Sequence, residues 1–430
     1  MTTGYCDNYY SNSLNDDRRY PCLEGFHRVD VAIIGGGFTG VAIAVELAEK
    51  GLKVAVIEEN RIGWGATGRN GGQVTGSLSG DGAILKQLRG TMGEQAAQDF
   101  LWFLRWRGHD IIKNRVAKYD IDCDLKFGHL HTAYKPSHMQ ELIENYDQAH
   151  ARGMGDDVTL VQANEMGQYL ESDIYHGGLL NRRNMHLHSL NLCRGEARAA
   201  ESMGALIFED SRVTNIVHGD TPKVMTEHGQ VQANSVILAG NAYHRLGGIK
   251  LKGMIFPACG GNVATAPLGE EVARKINPQD LAVYDCRFVL DYYRMTADNR
   301  LMFGGGANYS GRESRDIAGE LRPAIERTFP RLKGVEIEYA WSGMMGIVIN
   351  RVPQLGKLSD NVYYAQGYSG HGIGLSHIMA EIMADAVSGS MEKFDIFADF
   401  KHIQLPFGEW LGSQMLAVGM WYYGLKEKLR

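Results

Sequence analysis

The sequence predicts an α/β fold that opens on a doubly wound parallel sheet, and three observations predict it. A short apolar, β-branched run, Val31-Ala32-Ile33-Ile34, has the composition of a strand buried on both faces of such a sheet. It stops at the turn Gly35-Gly36-Gly37-Phe38-Thr39-Gly40, after which good helix formers with apolar residues three and four apart run from Val41 to Lys50, with Gly51 at the expected C-cap. A second strand, Val54 to Ile57, ends at Glu58 and completes a βαβ unit about 30 residues long.

The 430 residues allow two or three units at roughly 100–200 residues per domain. With 44% hydrophobic and 22% charged residues and a net charge of -6, there is no basic surplus for a polyanion, so no nucleic-acid partner is expected. Glycine is the outlier at 53 of 430 residues, and 13 of the 48 residues from Gly35 through Gly82 are glycine. With only 10 prolines beside it, that excess points to a folded chain whose backbone approaches something closely. The six cysteines form no CxxC pair and read as free thiols in a reducing compartment. The N-terminal stretch lacks the basic and apolar regions of a secretion signal, and the uncharged runs Val31 to Val45 and Asn361 to Ala380 are too short or too polar to span a bilayer. A cytoplasmic protein is expected.

Further along, the pattern is helical and more charged from Asp81 to Asp147, with an aromatic stretch at Phe100 to Trp106 and a helix over Met139 to Ala151. Apolar runs at Ser235 to Gly240, Arg287 to Asp291 and Arg300 to Gly304 predict strands. A last strand, Val362 to Ala365, leads through Gln366-Gly367-Tyr368-Ser369-Gly370-His371-Gly372 into a helix ending at Ser388. Both glycine clusters therefore sit at strand-to-helix junctions, where a doubly wound sheet holds its ligand.

Gly35, Gly37 and Gly40 form a GxGxxG string in which the first glycine permits the tight turn, the second lets the backbone reach a pyrophosphate and the third allows close helix packing. Glu58, eighteen residues beyond Gly40, is placed to accept hydrogen bonds from ribose hydroxyls, which favours NAD or FAD over NADP. The ribbon Arg61-Ile62-Gly63-Trp64-Gly65-Ala66-Thr67-Gly68-Arg69-Asn70-Gly71-Gly72-Gln73 then tips the choice toward FAD, because it replaces a third βαβ unit with backbone suited to lie along an extended cofactor. Arg61 and Arg69 are expected to offset pyrophosphate charge. The second cluster, Gly367 to Gly374, brings another helix N-terminus, whose positive dipole end would favour negative charge on a reduced isoalloxazine.

These motifs, with Ile237-Leu238-Ala239-Gly240-Asn241-Ala242-Tyr243, Asp291 to Leu301 and Arg351 to Gly356, resemble the FAD-dependent amine and amino-acid oxidases of the D-amino-acid oxidase superfamily over nearly the whole chain. The resemblance implies a Rossmann-like FAD-binding domain assembled from 28–85, 180–247 and 335–400, a substrate domain on a mixed β-sheet from 86–179 and 248–334, and a C-terminal helical extension over 401–430. It implies noncovalent FAD held by Gly35, Gly37, Phe38, Thr39, Gly40, Glu58, Glu59 and Arg61, by Gly65, Ala66, Thr67, Arg69, Asn70, Gly71, Gly72 and Gln73, by Val213, Ala239 and Gly240, and by Tyr368, Ser369, Gly370, His371, Gly372, Ile373 and Gly374. It also implies the reaction. A hydride leaves the carbon bearing a neutral amine for flavin N5, the imine hydrolyses to aldehyde and ammonia, and O2 is reduced to H2O2. A gamma-glutamylated polyamine or similar glutamyl amide is the expected substrate.

Departures from the family pattern sharpen this. The segment Trp341 to Gly346 lacks the arginine that holds an alpha-carboxylate in the amino-acid oxidases, and lacks the cysteine that links flavin in sarcosine-oxidase relatives. Near Met302 those relatives carry an oxygen-activating lysine, absent here; O2 remains the expected acceptor because lysine-free members are oxidases too. Two other readings stay open: a dehydrogenase passing electrons to a quinone, and a flavin-binding protein without turnover. Tyr292, His371 and Trp341 are the candidate substrate-facing residues, Tyr292 sharing a strand face with Arg294. His186 and His188 lack companion ligands for a metal, and no metal is expected. Trp410 to Leu429 is amphipathic and is expected to dock as a helix on the body rather than on a membrane.

Overall fold

Val31 and Ile33 belong to one apolar cluster and Ala32 and Ile34 to another, on opposite faces of the same strand. That double burial is why the run is apolar without alternation. In this computed structural model, which describes residues 4–244, 246–405, 412 and 414, the strand extends back to Gly25, its outer half carrying the polar residues His27, Arg28 and Asp30. The following helix, Phe38–Glu49, starts three residues before Val41, because the Phe38 amide donates to Thr67 Oγ1 at 3.0 Å and the turn can enter the helix at Gly37. Gly51, at φ +79°, ends it.

The first sheet has eight strands. Gln354–Ser359, Val362–Gln366, Gly229–Leu238, Gly25–Ile34, Val54–Ile57 and Leu206–Phe208 lie side by side, and Asn215–Val217 and Lys223–Met225 extend it beyond Gly229–Leu238. Five of them, from Val362–Gln366 across to Leu206–Phe208 at the edge, run parallel. Helices Phe38–Glu49, Glu94–Lys118, Ser189–Ser202 and Gly372–Val387 cover one face with Val45, Leu104, Leu192 and Met379 in a common core. Arg115 ties these four helices together from inside. Its guanidinium donates to Glu196 Oε1 (2.9 Å), to Glu46 and to Ala42 O, while His377 Nε2 lies 3.0 Å from the same Glu196 oxygen. Burial pushes the Glu196 carboxyl up, but His377 and Arg115 outweigh it and hold the group below its ordinary range.

The second sheet has nine strands and is mixed: Ala282–Asp285 runs parallel to Lys126–Thr132 and its other pairs are antiparallel. Helix Ile317–Thr328 closes its core of Leu130, Val263, Tyr293, Phe303 and Phe329. Sheet membership corrects the expected division of the chain. Gln73–Val74, Gly177–His186 and Ile337–Ile347 all pair in the second sheet, although the residues 73–74, 180–186 and 337–347 fall in the segments assigned to the first domain. Helix Glu94–Lys118, assigned to the second domain, shares the first sheet's core. A strand's apolar pattern marks that it will be buried and says nothing about which sheet edge receives it.

Arg287 to Asp291 is not a strand. Arg287 folds back onto Asp285 and Asp291, bending the chain, and the strand begins at Tyr292, leaving Phe288 and Val289 about 40% exposed at 42% and 40%. The expected C-terminal helix over Trp410 to Leu429 lies outside the described residues but for 412 and 414.

Candidate cofactor and substrate cavity

A cavity of about 1480 Å³ lies between the sheets and is lined from both. It exceeds the roughly 300–1,000 Å³ of a site for one drug-sized ligand and has room for a long cofactor with a substrate beside it. Both glycine clusters reach it: Gly35, Gly37, Phe38 and Thr39 from the first, and Tyr368 through Gly374 from the second. Thr39 Oγ1 and the Tyr368 hydroxyl share a 2.8 Å hydrogen bond that joins the two clusters directly.

At the first cluster, Gly35 adopts φ +111°, and a Cβ there would stand 3.0 Å from the Ala239 and Gly240 backbone. Gly37 caps the helix without a side-chain bond, and Thr39 and Gly40 amides are among those that helix geometry leaves without an internal acceptor. Gly40 itself sits beneath the wall rather than in it, with its Cβ position 1.9 Å from Gly35 O, so its role is the close packing of helix on turn. Glu58 lines the cavity with both carboxylate oxygens held, accepting from the Gly36 amide at 2.6 Å and the Asn60 amide at 2.9 Å. Burial pushes its pKa up to about 7 against these two hydrogen bonds. Glu59, paired with Arg212 at 3.6 Å, and Val213, Ala239 and Gly240 complete this end.

From Gly65 to Gln73 the ribbon runs along the wall, with Gly65, Ala66, Thr67, Arg69, Asn70, Gly71, Gly72 and Gln73 all lining it. Asn70 shapes it, donating to Ala66 O and Thr67 O and accepting from the Gly72 amide. The Arg69 guanidinium lies 4.3 Å over Trp64, and the Arg69 carbonyl accepts from Asn262 Nδ2 (3.1 Å) and Trp341 Nε1 (3.0 Å).

Two expectations are overturned here. Arg61 is 3% exposed and points away from the cavity, bonding Asp17 at 2.6 Å and the Asp17 and Arg18 carbonyls, so it anchors the N-terminal segment. Trp341 does not wall the cavity: it is buried with Tyr10 and Met302 and braces the ribbon from behind. Arg294, on the same strand face as Tyr292, is likewise enclosed, bonding Gly71 O and Leu187 O. His186 and His188 are also structural in their contacts, His186 bonding Asp280 O and His188 Nδ1 accepting from the Asn191 amide.

At the far end Tyr292 does line the cavity, its hydroxyl donating to Asn262 Oδ1 at 2.9 Å. His371, the N-cap of helix Gly372–Val387, faces two hydroxyls, Ser79 Oγ 2.6 Å from Nδ1 and Ser77 Oγ 3.4 Å from Nε2. The Ser79 hydrogen is already committed to Ser369 O at 2.7 Å, so Nδ1 must donate and Nε2 carries the lone pair. Burial, aided by the charge of Arg351, lowers the His371 pKa to about 4, so the ring is neutral at pH 7. Ser77, Ser79, Asn262, Tyr284 and Tyr309 were not singled out from sequence, Met345 and Arg351 were read only as members of family-like segments, and only the Ser77-Leu78-Ser79 alternation beside the ribbon could have drawn further notice.

The residues present fit a flavin dinucleotide: two helix N-termini open on one cavity, a strand-end carboxylate is pre-oriented at its edge, and glycines stand where any Cβ would meet backbone. Comparison with known proteins agrees. Residues 30–386 match the family model described as FAD dependent oxidoreductase (DAO). The chain is 39% identical over 431 residues to gamma-glutamylputrescine oxidoreductase of Escherichia coli K12, covering 99% of each. It is 37% identical over 432 residues to a probable oxidoreductase, OrdL, of Haemophilus influenzae, covering 98% of this chain and 97% of that one. Among solved structures, glycine oxidase from Geobacillus kaustophilus superposes with TM-score 0.71 at 23% identity over 88% of this chain and all 100% of that one, a likeness of fold.

Proposed function

The chain belongs to the DAO family of FAD-dependent oxidoreductases, and from that premise we propose that it oxidises the primary amine of a gamma-glutamylated diamine, releasing aldehyde and ammonia and passing electrons to O2. The observation that carries the reading is a single cavity running from the dinucleotide cradle to an end walled by Tyr292, Asn262, Tyr284 and a neutral His371. Identity of 39% over the full length of a relative named for gamma-glutamylputrescine supports the substrate class.

Bound FAD supplies the two-electron acceptor for breaking the C–H bond beside the amine. The chain does the rest. Glu58 would accept from ribose hydroxyls, the Thr39 amide would face the pyrophosphate, and Gly372 to Gly374 would present the positive end of a sixteen-residue helix to the ring system. Among the described residues, the carboxylates lining the cavity, Glu58, Glu59 and Glu227, all belong to the first sheet's loops, and none of these faces the Tyr292 and His371 end to stabilise an ammonium. An amine there is favoured in its neutral form, the form that reacts. The His371 Nε2 lone pair, next to Ser77, is placed to take up the amine proton and relay it through hydroxyls. Met344 and Met345 stand in the segment where covalent relatives carry cysteine, which supports noncovalent FAD.

No helix among the described residues is long and apolar enough to cross a membrane. A cytoplasmic location is our reading of that together with six free cysteines. The test is anaerobic mixing of the flavin-loaded protein with gamma-glutamylated diamines, free diamines and alpha-amino acids. Rapid bleaching by the glutamylated amines, with stoichiometric H2O2 on admitting air, is expected. No bleaching by them, or faster bleaching by alpha-amino acids, overturns the substrate; bleaching without peroxide replaces O2 by another acceptor.

A further inference from the structure

The family match begins at residue 30, and the stretch before it does more than lead into the first strand. Residues 5–14 fill the seam behind the ribbon. Tyr9 and Tyr10 are buried there with Leu190 from helix Ser189–Ser202 and with Ala264, Met302 and Trp341 from the second sheet, and Tyr5, Cys6 and Leu14 pack on the same cluster. The ribbon therefore has the cavity on one side and this cluster on the other. A Cβ on Gly72 would stand 2.8 Å from the Tyr10 hydroxyl, and one on Gly68 would stand 3.4 Å from the Leu190 side chain, so the ribbon lies in close contact with both.

Consecutive carbonyls of the ribbon are held by side chains. Ala66 O and Thr67 O accept from Asn70, and Arg69 O accepts from Asn262 and Trp341. Between them, Gly68 O accepts from Asn8 Nδ2 at 3.0 Å, a contact that spans 60 residues of chain. Asn8 is 2% exposed and stands outside the cavity wall. It is itself fixed by the capping box of helix Tyr9–Asn12: Asn8 Oδ1 accepts from the Ser11 amide at 2.9 Å, and Ser11 Oγ accepts from the Asn8 amide at 3.1 Å. The Asp17 end of the same N-terminal segment is tied separately, through Arg61.

We propose that Asn8 is a positioning residue for the flavin: by holding Gly68 O from behind, it keeps Thr67 and Arg69, which flank that carbonyl and line the cavity, in the conformation that receives the cofactor. A buried carbonyl needs a partner. Without Asn8 the Gly68 carbonyl would have to rotate to find one, and its neighbours would rotate with it. Thr67 Oγ1 also accepts from the Phe38 amide at 3.0 Å, so a displacement at Gly68 reaches the first glycine cluster. Coupling of this kind is reciprocal: bound FAD stabilises the docked state of residues 8–12 by the same factor by which that docking tightens FAD. This rests on membership of the FAD-binding family alone and is independent of the amine and of the electron acceptor.

Two measurements test it, neither of which uses turnover. The first is the rate at which FAD leaves the flavin-loaded protein on dilution, followed by flavin fluorescence. Asn8→Ser keeps an N-cap but is too short to reach Gly68, and it is expected to release FAD about fivefold faster, the share of one hydrogen bond. Asn15→Ala, which removes a donor to Asp122 O further along the same segment, is expected to release it at the wild-type rate. The second is amide hydrogen exchange of the peptide spanning residues 4–14, with FAD bound and with the flavin stripped. FAD is expected to slow that exchange in the wild type and to slow it less in Asn8→Ser. Wild-type release from Asn8→Ser, or equal acceleration in Asn15→Ala, overturns the positioning role. Exchange in the wild type that is the same with and without FAD overturns it too, whether or not either variant folds.

Discussion

Gly40 and Gly90 both lie within helices, yet alanine at the two positions is expected to act in opposite directions. At Gly40 the added Cβ would stand 1.9 Å from Gly35 O, against ordinary contacts of 3.4 Å or more, so about 1.5 Å must be opened between two backbones. Overpacking that flexible side chains can absorb costs about 1–3 kcal/mol, and here the listening partner is a carbonyl in a turn locked by the Ala239 and Gly240 backbone, so the upper value or more applies. The displaced turn also carries the amides that face the cavity, so Gly40→Ala should purify with much less flavin. At Gly90 nothing lies within 4 Å of the added atom, and alanine should stabilise by about 0.5–1 kcal/mol through helix propensity alone. Thermal unfolding and the ratio of flavin to protein absorbance read both variants. Gly40→Ala with wild-type flavin content and an unchanged Tm would refute the close-packing argument.

Three further outcomes are expected. Arg61→Ala should lower stability by about 3 kcal/mol, because it strips a partner from buried Glu209 and frees the Asp17 segment, while FAD affinity measured on the folded variant stays unchanged; a selective loss of FAD affinity would return Arg61 to the cofactor. Tyr292→Phe removes the hydroxyl that positions Asn262 and should cost about fivefold in kcat/KM with flavin content intact, the effect of one hydrogen bond of about 1 kcal/mol; an unchanged kcat/KM would make the contact incidental. Burial lowers the His186 pKa to about 3, so the unfolded chain takes up that proton first, and its contribution to stability is full above about 6.5 and lost as the pH falls. The loss reaches about 2 kcal/mol at pH 5, and denaturant midpoints at pH 7 and pH 5 should differ less in His186→Gln by that amount; an identical pH dependence would contradict the assignment.

Local signals carried far where the chemistry itself is local. The GxGxxG turn, the strand-end Glu58 and the Gly65 to Gln73 ribbon were legible because each needs a particular residue type at a set spacing, and all but Gly36, Gly40 and Gly68 of that set reach the cavity wall. Arg61 was misread for a reason of the same kind. A cation beside a phosphate-binding ribbon suits the phosphate, and only the exposed Asp17 and the buried Glu209 around it show that its charge is matched elsewhere. Trp341 is the parallel case among apolar residues, since burial against Tyr10 and placement in a cavity wall leave the same letter in the sequence.

By itself, then, the sequence determined the opening βαβ unit, the flavin class of the ligand and the meeting of two glycine clusters at strand-to-helix junctions, because dihedral freedom, helix N-termini and apolar periodicity act within a few residues. The tertiary structure alone decided which sheet receives Gly177–His186 and Ile337–Ile347, that Ser77 and Ser79 set the tautomer of His371, and that Arg351 shares a wall with it. Those are pairings between residues up to about 290 positions apart, with |i−j| of 290 and 292 for the Ser79 bonds. Distance along the chain leaves them no local pattern, and only packing brings them together.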